Sequence, residues 1–274
     1  MGGPVTGYSD PDSWICAIQA KGYRAASCPV LPDAGSDVIR AYRAAADKAD
    51  VVIAEVGAWS NPLGPDESER AAAMEKCKAG LQLAEEIGAR CCVNISGSRG
   101  ARWDGPDADN LTQETFDRIV TTVREIIDAV KPTRTCYALE PMPWMYPDSP
   151  DSYVSLIEAI GRTGFGVHLD PVNMVNCPAR YFGNADLLRA CFDKLGPYIR
   201  SCHAKDTILR DDLTVHLDEG RPGSGGLDYG MYLRELSKLD PDTPLMLEHL
   251  DSEEEYTQGV EFIRSVAAKK GLEI

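Results

Sequence analysis

The feature that most constrains the fold is a regular alternation of short apolar runs and longer amphipathic stretches along all 274 residues. This alternation predicts parallel strands that are joined by helical crossovers. The predicted strands are Val5–Ser9, Tyr23–Val30, Val51–Ala58, Arg90–Ser96, Thr133–Pro141, Phe165–Val172, Ile199–Asp206 and Pro244–Leu250. The predicted helices are Ser13–Ala20, Ser36–Ala49, Ser68–Ile87, Gln113–Val130, Ser152–Arg162, Asp186–Leu195, Tyr229–Leu239 and Glu253–Lys269. Eight such units match a closed barrel, so we predict an α/β fold with one (β/α)8 TIM-barrel domain over residues 1–274.

The main competing architecture is an open, doubly wound α/β sheet, which has the same alternation of elements. Nucleotide-binding sheets of that kind carry a G-x-G-x-x-G motif directly after the first strand. Here the glycine-rich segment Gly223-Ser224-Gly225-Gly226 comes late in the chain and precedes a helix. Periodicity alone does not reject the open sheet, but the missing motif favours the barrel. No Pro/Gly/Ser-rich linker divides the chain.

Charge and cysteine usage exclude several classes of protein. A formal net charge of −15 argues against a nucleic-acid partner and an anionic membrane surface. The apolar runs are far shorter than the ~20 residues that span a bilayer, and no basic-then-apolar start indicates a secretory signal. The nine cysteines form no C-x-x-C pair, which predicts buried reduced thiols. These observations predict a cytoplasmic protein.

The last four predicted strands each end with a residue that can bind a metal ion. In a barrel, these ends converge at one rim, where catalytic groups lie. Three carboxylates at one rim would repel each other, and a divalent cation would remove that repulsion. One imidazole with carboxylate oxygens suits Mn²⁺, our first choice, or Mg²⁺ or Co²⁺, with Zn²⁺ as a further alternative. The predicted ligands of one divalent ion are Glu140, Asp170, His203 and Glu248.

Strand alternation places two basic residues beside these ligands, because residues two apart face the same way. His168 shares the face of Asp170 one layer deeper, where it could contact a substrate or be an ordinary core histidine. Lys205 shares the face of His203 and lies further out. It could bind a substrate oxygen or form a surface ion pair with Asp206.

Further substrate contacts are predicted at earlier strand ends and in loops that follow strands. Sugars are often bound by aromatic faces together with directional hydrogen bonds to hydroxyl groups. Arg221, in the polar segment 216–228, could reach a ligand or a carboxylate of the site. His249 alternates away from Glu248 and is predicted to be structural. The remaining candidates are the polar residues Glu55, Asn94 and Ser96 and the aromatic residues Trp59, Trp103, Trp144 and Tyr146.

Five segments, spread over essentially the whole chain, resemble the sugar isomerase/epimerase superfamily of xylose-isomerase-like barrels. That superfamily includes ketose 3-epimerases, inosose dehydratases and metal-dependent deglycosidases of oxidised glycosides. The resemblance implies a xylose-isomerase-like barrel in which the four matching positions bind the metal ion. It further implies that Glu140 and Glu248 exchange protons with the carbon next to a carbonyl, and that homo-oligomers are common. The segments are Leu139-Glu140-Pro141, Leu169-Asp170-Pro171-Val172-Asn173, His203-Ala204-Lys205-Asp206, Arg221-Pro222-Gly223-Ser224-Gly225 and Leu247-Glu248.

The function implied by this resemblance is that of a divalent-metal-dependent isomerase or epimerase acting on a keto sugar or keto polyol. The sequence departs from the ketose 3-epimerases at Asn173, a predicted substrate contact, where those enzymes usually carry a substrate-binding histidine. The departure leaves room for a lyase of the same superfamily. Such a lyase would catalyse β-elimination from a 3-keto glycoside or dehydration of an inosose.

Two hypotheses from other functional classes were also compared with the sequence. A sugar-binding barrel without turnover is a possible alternative, but it would have no use for the paired glutamates. A multi-metal endonuclease of the same superfamily needs more histidines than the four present here and a basic face. The sequence does not identify the sugar.

Overall fold

The computed structural model describes all residues 1–274 and confirms the barrel. A curved parallel sheet has the strand order β3-β4-β5-β6-β7-β10. The strands are β1 (Ala25–Ala26), β2 (Val52–Ile53), β3 (Glu55–Gly57), β4 (Cys91–Asn94), β5 (Tyr137–Leu139), β6 (Phe165–Leu169), β7 (Ile199–Ala204), β8 (Asp206–Leu209), β9 (Leu217–Gly220) and β10 (Leu245–Leu247). The helices are α1 (Pro11–Ala20), α2 (Ser36–Ala49), α3 (Glu67–Ile87), α4 (Gln113–Val130), α5 (Pro150–Ile160), α6 (Pro171–Met174), α7 (Pro178–Phe182), α8 (Asn184–Leu195), α9 (Tyr229–Leu236) and α10 (Glu253–Lys270).

A single glycine closes the barrel between its first and last strands. Strand β1 pairs with β2, which continues into β3 after Ala54. Gly2 forms parallel bridges to Ala25 on one side and to Met246 on the other. A Cβ atom on Gly2 would lie 2.2 Å from the Ala25 carbonyl oxygen, so only glycine allows this close approach. The predicted strand Val5–Ser9 is therefore wrong: those residues form no strand, and the pairing position lies upstream of the apolar Val5 that suggested it.

Strands β8 and β9 form an antiparallel hairpin where the sequence predicted only a polar loop. The buried Asp206 carboxylate holds the base of this hairpin by accepting the backbone N–H groups of Thr207, Gly223 and Leu227 at 2.8–2.9 Å. These bonds position the returning strand, which carries Glu219, beside the barrel rim.

The predicted helices form, with changes at their ends. The side chain of Thr112 caps α4 by accepting the Thr115 N–H. Ser36 is the first residue of α2 and not its cap; Gly35 precedes the helix and makes no side-chain cap bond. Gly88 follows α3 with φ +82°, the left-handed ending that glycine favours.

Most of the buried apolar side chains belong to one cluster of 50 residues that extends from Trp14 to Ala267. That residues 1–274 form one domain stays a prediction, which this shared core supports. All nine cysteines are free, and six of them are buried. No helix combines the length and the apolar character needed to cross a bilayer.

Glu85, in the last turn of α3, anchors the segment that leads into β5. Its carboxylate accepts the backbone N–H groups of Thr133, Arg134 and Thr135 at 3.0–3.2 Å and the Thr133 hydroxyl at 2.6 Å. Burial raises the pKa of Glu85, but these hydrogen bonds lower it by more, from an ordinary value of 4.5 to about 2.

We expect Glu85→Gln to lower the free energy of unfolding by about 1–3 kcal/mol at neutral pH, because three backbone N–H groups and one hydroxyl group lose a charged acceptor. Since the folded-state pKa is depressed, the contribution of Glu85 is full above pH 4.5 and disappears as the pH falls toward about 2. Urea unfolding of both proteins at several pH values measures the difference. Glu75→Gln, at an exposed position of the same helix, is the control. A constant difference between the proteins down to pH 2 would contradict the assignment.

Candidate metal centre

The four predicted ligands converge at the carboxyl-terminal rim of the barrel. Glu140, Asp170 and Glu248 directly follow β5, β6 and β10, and His203 lies in β7. One ligand atom from each lies within 4.8 Å of those of the other three, and only Glu248 is partly accessible, with 19% of its side chain exposed. The convergence follows from parallel strands that end at the same rim.

The His203 ring orients the cluster, because its two nitrogens face opposite sides. Its Nδ1 lies 2.7 Å from Glu248 Oε1, 3.2 Å from Glu140 Oε1 and 3.8 Å from Asp170 Oδ2. Its Nε2 faces Glu55 Oε1 at 3.5 Å. Nδ1 is therefore the nitrogen that points into the ligand set.

Lys205 lies inside the cluster and not at the surface. Its side chain is 2% exposed, and its Nζ lies 2.6 Å from Glu248 Oε1, 2.8 Å from Asp170 Oδ2 and 3.4 Å from Glu219 Oε2. Of the two alternatives predicted for Lys205, the surface ion pair with Asp206 is wrong, because the Asp206 carboxylate is buried and accepts hydrogen bonds from backbone N–H groups. The inward face that Lys205 shares with His203 was predicted correctly.

The two glutamates of the cluster have pKa values that move in opposite directions. Burial raises the pKa of Glu140, and the charges of His203 and Lys205 offset only part of this effect. Burial also raises the pKa of Glu248, but the same two cations lower it by more, so it lies below its ordinary value. Two carboxyl groups with different proton affinities at one site are the combination that acid–base chemistry needs.

The donor set fits a divalent cation. Asp170 Oδ2 and Glu248 Oε1 are buried and accept no hydrogen bond of good geometry, although the Lys205 ammonium is close to both. Buried oxygens without hydrogen bonds are costly unless a cation or a donor compensates them. Three carboxylates and one imidazole nitrogen are ligands that Mn²⁺, Mg²⁺ and Zn²⁺ accept.

A second polar layer lies beneath the ligands, inside the barrel. His168 Nε2 lies 2.9 Å from Glu55 Oε2, and the Ser201 hydroxyl donates to the same oxygen at 3.2 Å. All three residues are buried, and neither His168 nor Glu55 lines the cavity above the ligands. Glu55 instead lines a second cavity of about 290 Å³ together with His203 and Glu248. Contact of His168 and Glu55 with a substrate in the first cavity is therefore not supported.

A cavity of about 490 Å³ opens above the cluster. The predicted aromatic residues Trp59, Trp103 and Trp144 line it, as do Asn173 and Lys205. The Asn173 side-chain amide donates to Glu140 Oε1 at 3.0 Å. The other apolar lining residues are Ile95, Met142, Pro143, Val172, Val175 and Leu217.

Four predicted contacts lie elsewhere. Asn94 faces the helix layer, where its amide binds Ser60 O and Cys77 Sγ, because Cys91 and Val93 take the inward positions of β4. Arg221 bonds to the carbonyl oxygen of the next residue, outside the cavity. The Tyr146 hydroxyl donates to Leu111 O, and its ring packs against Phe116. Ser96, buried with an unpaired hydroxyl, also does not line the cavity.

Two residues that sequence reasoning did not place at the site line the cavity. His249 has φ +57°, so the chain leaves strand geometry directly after Glu248, and the prediction that it faces the helix layer is wrong. Its Nδ1 lies 3.0 Å from Glu219 Oε1 and 3.4 Å from Lys205 Nζ. Glu219 arrives on β9, a strand that the sequence did not reveal. The charge of Glu219, in a polar glycine-flanked segment, was the only available signal.

The sequence matches the model of one protein family, described as "Xylose isomerase-like TIM barrel", over residues 17–266. A search of curated proteins finds no match.

Solved structures share the fold at low sequence identity. Endonuclease IV from Thermus thermophilus has a TM-score of 0.72 at 15% identity, covering 98% of both chains. D-Psicose 3-epimerase with D-tagatose, from Clostridium cellulolyticum, has 0.66 at 14%, covering 94% of both chains. The probable 3-DHS dehydratase from Bacillus anthracis has 0.68 at 15%, covering 95% of this chain and 94% of that one. Proteins with this fold thus carry names of three different reactions, and the reaction has to be argued from the site.

Proposed function

The chain belongs to the family of xylose isomerase-like TIM barrels, and we propose that it is a divalent-metal-dependent isomerase or epimerase of a keto sugar or keto polyol. This membership confirms the resemblance to xylose-isomerase-like barrels that was predicted from the segments at the strand ends. The observation that carries the proposal is the convergence of Glu140, Asp170, His203 and Glu248 below a cavity with tryptophan walls.

In the proposed enzyme, these four residues hold one divalent ion, with Mn²⁺ as the first choice. The three carboxylates that converge on His203 Nδ1 support this assignment, because a divalent ion would offset their mutual repulsion. A divalent ion held there would stabilise the negative charge that develops on the substrate's carbonyl oxygen when the neighbouring hydroxyl-bearing carbon loses its proton.

Glu140 and Glu248 are the proposed acid–base pair. One carboxylate removes the proton next to the carbonyl, and the other returns a proton to the opposite face of the same carbon. Glu140 is held by the Asn173 amide at 3.0 Å, whereas Glu248 contacts the Lys205 ammonium at 2.6 Å. These different partners support different protonation states for the two groups.

The residues around the pair are suited to position a polyol. The Lys205 ammonium and the Asn173 amide can donate to substrate oxygens. Trp59, Trp103 and Trp144 offer ring faces to the C–H surface of a sugar. Carboxylates on the cavity wall can accept hydrogen bonds from substrate hydroxyl groups; they are Asp104, Asp218 and Glu219.

The decisive experiment is a screen of ketoses, inososes and 3-keto glycosides with the Mn²⁺-loaded protein in D₂O. We expect one substrate class to take up deuterium at the carbon next to the carbonyl and to yield its epimer or isomer. Protein treated with a chelator is the control and should show no exchange. If no keto sugar exchanges with the loaded protein, the proposal fails and the non-catalytic sugar-binding reading gains support.

A lyase of the same family is the second candidate. Asn173 occupies the position where ketose 3-epimerases usually carry a histidine. In addition, the cavity of about 490 Å³ has an apolar outer wall that could hold an aglycone. Release of an aglycone from a 3-keto glycoside, or of water from an inosose, would identify this reaction in the same screen.

An endonuclease function has little support despite the similarity to endonuclease IV. The net charge is −15, and the cavity wall carries the carboxylates of Asp104, Asp218 and Glu219. Such a surface repels the phosphates of a nucleic acid. A small neutral carbohydrate fits these observations better.

A further inference from the structure

Beneath the four candidate ligands, a buried carboxylate faces the far side of the His203 ring. Glu55, the first residue of β3, places its Oε1 3.5 Å from His203 Nε2. The opposite nitrogen, Nδ1, lies 2.7 Å from Glu248 and 3.2 Å from Glu140. The His203 imidazole therefore lies between the candidate ligands and the Glu55 carboxylate.

The Glu55 carboxylate is itself held in place. His168 Nε2 lies 2.9 Å from its Oε2, and the Ser201 hydroxyl donates to that same oxygen at 3.2 Å. The His168 ring also packs edge-to-face against the His203 ring, with 4.0 Å between centroids. With Oε2 occupied by these two partners, Oε1 is the oxygen that remains for His203.

We infer that Glu55 is a positioning residue that fixes the His203 tautomer and aims its Nδ1 lone pair at the metal ion. A neutral imidazole has one donor and one acceptor nitrogen, so an N–H on Nε2 leaves Nδ1 free to bind a cation. Histidines that bind metals almost always donate their other N–H to a carboxylate, a carbonyl or water. The inference rests on the proposed metal function, and it assigns Glu55 a role other than contact with substrate.

The separation of 3.5 Å exceeds that of an ordinary N–H···O bond. We expect it to shorten when a cation on Nδ1 draws charge from the ring and makes the Nε2 proton a stronger donor.

A second cation between Glu55, His168 and His203 is the competing explanation, because their ligand atoms also lie within 4.8 Å of one another. The hydrogen-bond reading is favoured for two reasons. The contacts of Glu55 with His168 and Ser201 already have hydrogen-bond distances. Moreover, His203 could bind cations through both nitrogens only by losing both ring protons.

The first test measures Mn²⁺ affinity of the metal-free protein by titration calorimetry. Glu55→Leu removes the acceptor, whereas Glu55→Gln keeps an uncharged one. We expect about 10–100-fold weaker binding for Glu55→Leu and a smaller loss for Glu55→Gln. Glu235→Gln, which removes a buried carboxylate paired with Lys238 far from the site, is the matched control and should bind as the wild type. Should Glu55→Leu fail to fold, as judged by circular dichroism, Glu55→Gln carries the comparison.

The second test reads the tautomer directly. The chain has only four histidines, so long-range ¹H–¹⁵N spectra of the Mg²⁺-loaded protein are simple to assign. We expect the Nε2 proton of His203 to show the downfield shift of an N–H bonded to a carboxylate in the wild type and to lose that shift in Glu55→Leu. An unchanged shift would show that Glu55 does not accept this proton.

Each remaining result has a defined meaning. Wild-type affinity in both Glu55 variants overturns the inference alone. Two metal equivalents per chain in the wild type, with one lost in Glu55→Leu, overturn it in favour of the second cation. A wild-type protein that binds neither Mn²⁺ nor Mg²⁺ overturns the proposed metal function and the inference with it.

Discussion

Glu248→Gln is expected to abolish formation of the epimer while leaving proton exchange at one face of the substrate. The amide cannot accept or return a proton at neutral pH, and a general acid or base contributes typically 10²–10⁴-fold to the rate. The overall conversion rate should therefore fall by about 10³-fold. The epimer whose proton faces Glu140 should still exchange with D₂O, because that carboxylate is intact. Glu140→Gln should show the reverse selectivity.

This pair of variants separates loss of proton transfer from loss of the metal ion, provided that metal content is measured for each. A glutamine retains one carbonyl oxygen as a ligand, so saturating Mn²⁺ should restore occupancy. Glu254→Gln, at an exposed position in the first turn of α10, is the control for charge and should retain full activity. Undiminished epimer formation by either Glu140→Gln or Glu248→Gln at full occupancy would remove the acid–base assignment.

Lys205→Met is expected to destabilise the metal-free protein by about 3–5 kcal/mol, which is the cost of removing one partner from a buried ion pair. In the wild type, Nζ lies 2.8 Å from Asp170 Oδ2 and 2.6 Å from Glu248 Oε1. Without this ammonium, His203 alone would compensate three carboxylates. A divalent ion supplies the missing positive charge, so Mn²⁺ should recover most of the lost stability.

Thermal unfolding of the variant with chelator and with Mn²⁺ measures both parts of this prediction. Lys78→Met is the matched control, because Lys78 pairs with Glu75 and Glu125 on the surface. Its loss should change the free energy of unfolding by less than about 1 kcal/mol. Equal stability of Lys205→Met and the wild type in chelator would show that Lys205 does not compensate the cluster.

The convergence of the four candidate ligands could be predicted from the sequence because it depends on a coarse property of the fold. Parallel strands end at one rim, so polar residues that terminate consecutive apolar runs meet there whatever the local detail. To place the four candidate ligands together, it was enough to predict the ends of the strands correctly; these residues are Glu140, Asp170, His203 and Glu248. An error of one or two residues elsewhere in the strands would not have separated them.

The errors occurred where the backbone departs from regular strand geometry. His249 reaches the cavity because φ +57° breaks the alternation that was used to place it. Asn94 faces outward, and nothing in an apolar run such as Cys91–Asn94 reveals which alternate residues point inward. Gly2 closes the barrel through backbone atoms alone, so no side-chain pattern could mark it. The position of Glu219 at the site depends on the β8–β9 hairpin, whose base is held by the buried Asp206.

The parts of the site come from different regions of the barrel. The side chains that would hold the cation belong to four strands of the second half, whereas Trp59, Trp103 and Trp144 lie in segments that follow β3, β4 and β5. In the proposed enzyme, the walls formed by Trp59 and Trp103 are thus encoded apart from the four candidate ligands, whereas Trp144 lies close to Glu140 in the sequence. Exchange of the segments that carry Trp59 and Trp103 between relatives would then alter the cavity wall of the proposed enzyme and leave its four candidate ligands in place.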